Sequence, residues 1–402
     1  MHTPSLAGWL DQAQPEAVSG WAADLGCPET PATLAFFLNG RRVAVTTCEQ
    51  PRADAVAAGY PGARAFRVNL KPWLADGANV LEVVSERLQT LLPNGRQVIN
   101  VGGKAGIGDY WSSQYAKTTT LVTRWWECEY IVRRINRRVC GQPLPGMSAG
   151  LHQLAKERFA NRVPFARGVS IGCGTGHKER GLIQSGVVQH FTLFELSGLA
   201  VEQGRAQAAD AGLAGNMTFR MEDGLATETG AELYDVVYWN NALHHMFDVK
   251  AALEWSHRVL RRGGVLLMDD FVGPTRMQWS DNLLSINTQV RQALPPGYLR
   301  DPRRPDRNLP IAAERPPLAV FMANDPSECV DSGRILPELM RVFPDAWVQK
   351  TGGGVYHLAL NDVLHNIVAA GDFDLLERIL EVDDECTAIG ETHYAVAIAV
   401  KS

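Results

Sequence analysis

Val169-Ser170-Ile171-Gly172-Cys173-Gly174-Thr175-Gly176 is the stretch that decides how this 402-residue chain is read. A short apolar run ends in three glycines at alternate positions, and helix-forming sequence opens directly after them. A strand that turns through glycines into a helix exposes its backbone at the carboxyl edge of a parallel sheet, where the missing Cβ atoms let a ligand come close. A dinucleotide site wants G-x-G-x-x-G there, so that the helix N-terminus receives a pyrophosphate. Here the spacing is G-x-G-x-G, and Gly181 falls too late to be the third glycine of that pattern. Cys173 inside the loop reads as a small packing residue, not a nucleophile.

Outward from this loop, apolar runs alternate with helical segments: Phe191-Thr192-Leu193-Phe194, Met217-Thr218-Phe219, Asp235-Val236-Val237-Tyr238 and Val265-Leu266-Leu267-Met268. Strand followed by helix, repeated, implies a parallel sheet with helices on both faces. Two more strands are expected, near residues 346–349 and 394–400. Glu195, followed by Leu196, ends the second run, where a carboxylate accepts from two ribose hydroxyls. Asp223-Gly224 ends the third, where a carboxylate accepts from an adenine amino group. Asp235 begins the fourth and reads as a turn or cap residue, and Arg261-Arg262-Gly263-Gly264 is the turn before the fifth.

This ordered set resembles the class I S-adenosylmethionine-dependent methyltransferases over residues 167–271. The resemblance implies an α/β, doubly wound (Rossmann-like) sheet with S-adenosylmethionine as cofactor. Gly172, Cys173, Gly174, Thr175, Gly176, Glu195, Leu196, Asp223, Gly224 and Asn240 would hold that cofactor. Methyl transfer from a sulfonium is an in-line displacement, for which the protein mostly supplies positioning. An alcohol acceptor must also lose its proton, and histidine suits that task near neutral pH. The fourth strand runs out through Tyr238-Trp239-Asn240-Asn241-Ala242-Leu243-His244-His245. Asn240 is expected at the cofactor's amino-acid end, and either His244 or His245 as the base, although both imidazoles could equally brace the loop. Asp269-Asp270 ends the fifth strand at the same edge, which makes Asp270 the third catalytic candidate. With His245 these acids could suit magnesium, but no second ligand motif supports it and no metal is expected.

A long insertion, about residues 273–343, follows the fifth strand. Phe271-Val272-Gly273-Pro274-Thr275-Arg276-Met277-Gln278-Trp279 and Asp325-Pro326-Ser327-Glu328-Cys329-Val330 resemble blocks of bacterial methyltransferases associated with glycosyltransferases and surface-polysaccharide synthesis. That implies a sugar or polysaccharide acceptor touched by Arg276, Gln278, Trp279 and Glu328, and a glycosyltransferase as partner. Asp325 to Glu328 also reads as a helix start capped by Asp325 or Ser327. The Pro/Arg-rich residues 299–307 read as a mobile loop, and Gly352-Gly353-Gly354 as a turn or a close approach to the cleft, leading into a helix.

Before the loop, residues 1–108 carry short strands, with Asn39-Gly40 as a hairpin signal, and read as a small β-sandwich module. Val18-Ser19-Gly20-Trp21-Ala22-Ala23-Asp24 resembles a domain found beside bacterial glycosyltransferases and methyltransferases. Residues 109–165 read as a linker with lead-in helices at 120–139 and 148–161, and 166–402 as the methyltransferase domain. A net charge of -5 gives no support for a nucleic-acid surface. Seven cysteines without a C-x-x-C pair suggest neither a zinc site nor a disulfide framework, and suit a reducing cytoplasm. Neither a signal peptide nor a membrane-spanning apolar run is visible. The expected function is O-methylation of a sugar or surface polysaccharide. The alternatives are N- or C-methylation of another small metabolite, or a cofactor-binding scaffold in a polysaccharide assembly.

Overall fold

The computed structural model describes residues 6–14, 17–74, 77–101, 107–108, 110–112, 122–227, 230–231, 233–318, 320–321 and 325–402. Their contacts form two units, one reaching to Tyr110 and the other beginning at Trp111. The first holds β1 (Leu6–Gln14), β2 (Ala17–Asp24), β3 (Thr33–Leu38), β4 (Arg41–Thr47), β5 (Gln50–Pro51), α1 (Ala53–Ala57), β6 (Arg64–Val68), β7 (Gly77–Ser85) and β8 (Leu91–Val101). These strands make two four-stranded antiparallel sheets, ordered β1-β2-β6-β5 and β4-β3-β7-β8. Alternate side chains of both, among them Leu10, Val18 and Phe66 from one and Leu34, Phe36 and Leu81 from the other, share one apolar core. Asn39 and Gly40 both take positive φ (53° and 78°) and turn β3 into β4. Residues 102–106, and residues 109 and 113–121 of the expected linker, lie outside the described residues.

The second unit begins with α2 (Glu129–Cys140) and α3 (Ala149–Arg158). It continues through β9 (Phe165–Ile171), α4 (His177–Gln184), β10 (Val188–Phe194), α5 (Gly198–Asp210), β11 (Met217–Arg220), β12 (Tyr234–Asn240), α6 (Val249–Val259) and β13 (Leu260–Phe271). After it come α7 (Asp281–Gln292), β14 (Arg300–Asp301), β15 (Arg304–Asn308), α8 (Ile335–Val342), β16 (Trp347–Gly352), α9 (Leu364–Ala370), α10 (Phe373–Ala388) and β17 (Tyr394–Val400). Seven strands form one sheet in the order β11-β10-β9-β12-β13-β17-β16. β9 to β13 run parallel, and β17 is antiparallel to both its neighbours. Strand order reverses between β9 and β12, which opens a crevice at their carboxyl ends. β12 is buried along its whole length: Val237 and Trp239 enter the core on one face, Val236 and Tyr238 the core on the other. That two-sided burial is why it reads as an uninterrupted apolar run.

Several local expectations are corrected. The first lead-in helix starts at Glu129, not near 120: the Glu127 carboxylate accepts from the Arg124 N–H and closes a separate 3-10 turn first. Residues 299–307 form the β14–β15 hairpin, whose Asp301 accepts from the Arg303 N–H and the Arg304 guanidinium. Residues 325–330 make turns and no helix, because Asp325 caps Ser327 only two residues on and Cys329 takes a left-handed φ of 49°. The glycines at 352–354 serve close packing: a Cβ on Gly352 would sit 2.1 Å from the Asp383 carboxylate, and one on Gly353 2.6 Å from the Tyr394 ring. Asp383 accepts from the Gly353 and Val355 N–H groups, and the helix that follows begins only at Leu364.

Candidate active site

At the end of β9, Gly172, Gly174 and Gly176 take φ of 65°, 57° and 67°, a conformation that residues with a Cβ adopt only under strain. Gly176 is also crowded, since a Cβ there would lie 2.8 Å from Met217 Cε. The Gly172 N–H donates to the Phe194 carbonyl at 2.8 Å, tying the loop to β10. Cys173 is buried, which pushes its thiol well up and leaves it unreactive. Thr175 is half-buried in the same turn, and its carbonyl packs over Gly204 of α5.

Glu195 follows β10 directly and is almost wholly buried. One carboxylate oxygen accepts from the Gly174 N–H at 2.8 Å, the other from the Leu196 and Ser197 N–H groups, each at 2.8 Å. Burial raises its pKa, with those three donors acting in opposition. Asp223 accepts from the Leu225 N–H at 3.1 Å, and Gly224 lies flat on Phe194, where a Cβ would come 2.6 Å from the ring.

Asn240, expected at the cofactor's amino-acid end, ends β12 with its amide turned to neighbouring side chains. Its amide donates to Ser148 Oγ at 2.9 Å and Tyr238 Oη at 2.6 Å, inside a buried network that ends at Asp269. Burial raises Asp269 to about 6. Lys178 was missed by sequence reasoning; its Nζ donates to the Asn240 carbonyl at 2.8 Å. Its position two residues beyond Gly176, in the first turn of α4, was the available signal.

Beyond β12, a 3-10 turn at Leu243–His245 carries both imidazoles. Asp270, fully buried near the end of β13, accepts from the Ala242 and Leu243 N–H groups at 2.9 Å each and from His244 Nδ1 at 2.6 Å. Burial would raise the Asp270 pKa, but the adjoining imidazole and those donors outweigh it and bring it down. Burial likewise lowers His244, and the Asp270 carboxylate overcomes this, so that its pKa ends above the ordinary value. His244 Nε2 points toward Glu328, 3.8 Å from Oε1.

His245 differs in kind. Its Nδ1 lies 3.0 Å from Ser327 Oγ, and the Trp111 ring meets it edge-on at 5.2 Å. Burial and then the neighbouring His244 lower its pKa to about 3, which keeps it neutral. The two histidines proposed interchangeably as base are therefore electrostatically distinct.

Of the four expected acceptor contacts, Glu328 alone sends its side chain toward these imidazoles. Arg276, at φ 55°, donates to the Glu328 and Pro326 carbonyls at 3.0 and 2.7 Å and so holds the 325–330 turn in place. Gln278 donates to the Arg276 and Pro316 carbonyls. Trp279 is 3% exposed, and its indole stacks on His393 with ring centres 4.3 Å apart. It packs a core rather than offering an open aromatic face. Trp279→Ala is accordingly expected to cost about 3–5 kcal/mol; an unchanged urea midpoint would contradict this packing role.

Residues 167–303 match a family of methyltransferase domains. Two curated relatives match part of the chain. The ubiquinone/menaquinone biosynthesis C-methyltransferase UbiE of Agrobacterium fabrum is 28% identical over 131 residues, 31% of this chain and 51% of that protein. The 27-O-demethylrifamycin SV methyltransferase of Amycolatopsis mediterranei is 29% identical over 119 residues, 29% of this chain and 43% of that protein. The chain thus spans about half the length of the curated relatives it matches. A solved phosphoethanolamine N-methyltransferase 2 of Haemonchus contortus, in complex with phosphomonomethylethanolamine and S-adenosylhomocysteine, superposes with a TM-score of 0.41 at 14% identity, covering 73% of this chain and 60% of that one. No helix among the described residues is long and apolar enough to cross a membrane. With the glycine loop, the acid after β10 and the family match falling on one sheet edge, the chain carries a class I methyltransferase domain whose cofactor is S-adenosylmethionine.

Proposed function

We propose that the protein transfers a methyl group from S-adenosylmethionine to a hydroxyl oxygen, with His244 as the general base. The observation that carries this reading is the His244–Asp270 pair at 2.6 Å, facing the crevice at the carboxyl ends of β12 and β13. The residues fit the cofactor. The glycine loop places no side chain at Gly172, Gly174 or Gly176, and Glu195 Oε2, which accepts only from the Gly174 N–H, keeps a lone pair for a ribose hydroxyl, whereas Oε1 already accepts from both Leu196 and Ser197. Asp223 would take the adenine amino group.

S-adenosylmethionine supplies an electrophilic methyl carbon and departs as a neutral thioether. Asp270, an ionised acceptor, fixes the His244 proton on Nδ1, which leaves the Nε2 lone pair free to take the acceptor's proton. As the acceptor oxygen bonds to the methyl carbon, its proton passes to Nε2. The resulting imidazolium is stabilised by Asp270, and Glu328 stands 3.8 Å away to receive the acceptor side of the site.

Because His244 must be neutral to act, turnover should fall as pH drops through its raised pKa. Asp270→Asn removes the charge that raises it, so the acidic limb of the kcat/KM profile should move to lower pH and the plateau should drop by roughly 10- to 100-fold. A limb that stays in place would exclude the pair as the titrating unit.

Glu328 is the remaining support for a sugar acceptor, as Arg276, Gln278 and Trp279 are engaged in packing. The C-methyltransferase UbiE among the relatives favours a second reading, methylation of an acidic carbon. Labelled methyl transfer into sugars, phenols and polyketide alcohols, with NMR assignment of the product methyl, separates the readings. O-methyl products support the proposal, and C-methyl products alone would replace it.

A further inference from the structure

The 325–330 turn brings a second set of side chains to this crevice that the acid–base pair does not use. His245, Asp325 and Glu328 each offer one ligand atom, and these atoms lie within 4.8 Å of one another. His245 Nδ1 is 3.7 Å from Asp325 Oδ2, and His245 Nε2 is 3.9 Å from Glu328 Oε2. Ligands held at about 2.0–2.2 Å from a common ion stand roughly 3–3.6 Å apart. Because Nδ1 is the nitrogen measured against Asp325 while Nε2 faces Glu328, closing the set means drawing together ligand atoms spread over as much as 4.8 Å, a movement of about an ångström.

The hydrogen bonds around the set also select the right atoms. Ser327 Oγ donates to Asp325 Oδ1 at 2.5 Å, so its oxygen receives the proton of His245 Nδ1 at 3.0 Å. That tautomer leaves a lone pair on His245 Nε2, the nitrogen facing Glu328. An outer hydroxyl or carbonyl that holds the second ring nitrogen is the usual support of a metal-bound histidine. The Cys329 thiol donates to Glu328 Oε1 at 3.0 Å, which leaves Oε2 for the shared point. Asp325 is 4% exposed, yet among the described residues its Oδ2 has no hydrogen-bond partner. A buried carboxylate oxygen without a partner is costly, and a cation would satisfy it.

We propose that His245, Asp325 and Glu328 form a binding site for one divalent transition-metal ion, of the manganese or zinc kind. One imidazole with two carboxylates suits such borderline ions better than an all-oxygen magnesium cage. The two carboxylates balance the charge of the ion. Arg276 secures the turn through its backbone carbonyls, not through either carboxylate. This departs from the sequence reading, in which no metal was expected and Asp269-Asp270 were the acids considered. An ion here would orient the acceptor oxygen beside His244; that role rests on the methyl-transfer reading, whereas ion binding does not.

The test is Mn²⁺ titration of the chelator-treated full chain, followed by electron paramagnetic resonance, with Zn²⁺ as competitor. One ion per chain is expected, displaced by Zn²⁺, with nitrogen coupling from an imidazole in the pulsed spectrum of the wild type. Asp325→Asn and Glu328→Gln should each weaken Mn²⁺ binding by roughly tenfold or more, while calorimetry shows S-adenosylhomocysteine binding retained. Absence of stoichiometric Mn²⁺ or Zn²⁺ binding, absence of nitrogen coupling, or wild-type Mn²⁺ affinity in both variants would overturn the site. Failure to bind S-adenosylhomocysteine would instead strike the methyl-transfer reading, so the two failures are distinguishable.

Discussion

His244→Ala is expected to slow methyl transfer to a hydroxyl by roughly 100- to 10,000-fold, with affinity for S-adenosylhomocysteine nearly unchanged. The expectation follows from three features of one side chain. Its Nδ1 is held by Asp270 at 2.6 Å, its Nε2 is directed into the crevice, and its pKa lies above the ordinary histidine value. A raised pKa makes the neutral imidazole a stronger proton acceptor, while the fraction that is neutral falls as pH drops through that pKa. His245 lacks the last property, since burial holds it near 3. Turnover of His244→Ala close to wild type, at saturating acceptor and cofactor, would remove it from the base role. His244→Gln distinguishes chemistry from bracing: a side chain that only filled space would be largely rescued by the near-isostere.

The second large effect concerns Glu195. Glu195→Ala should weaken S-adenosylhomocysteine binding by roughly 100- to 1,000-fold, because each hydrogen bond to a charged group contributes about 1.5–3 kcal/mol. Two losses combine. The ribose hydroxyls lose their acceptor, and the N–H groups of Gly174, Leu196 and Ser197 lose theirs, so the glycine loop keeps its Gly172–Phe194 backbone bond but loses its side-chain tie to the end of β10. Glu195→Gln retains one carbonyl acceptor and should fall between the two. Calorimetry measures the affinity, and thermal unfolding of the free protein shows whether the fold survives. Equal affinity in Glu195→Ala, with the fold intact, would mean that the carboxylate serves the loop alone and does not touch the cofactor.

Much of this site was open to reading from residue identity. Gly172, Gly174 and Gly176 stand out because positive φ is a property of single residues, and only glycine adopts it without strain. Glu195 and Asp223 follow strands whose apolar runs are short and continuous, so their place at the carboxyl edge follows from local pattern. The Asn39-Gly40 hairpin and the strands β16 and β17 are legible for the same reason. Asn240 shows the limit of that reasoning. Its position at the end of β12 matches the expectation, but the direction of its amide is set by Ser148, which is 92 residues away in the chain.

Local chemistry thus established the loop, the strand edges and the donor they serve. It left the two histidines equivalent, since adjacent imidazoles in a Leu-His-His run carry no sequence mark of their surroundings. Asp270, 26 residues beyond His244, makes one a charged-pair base, and Ser327, 82 residues beyond His245, receives the other's proton. The same holds for Trp279, whose aromatic face is taken by His393, and for Glu328, which reaches the imidazoles through a turn clamped by Arg276. Hydrogen bonding and pKa depend on which groups lie within a few ångströms, and those neighbours come from strands and turns far apart in sequence. Only the folded chain brings them together.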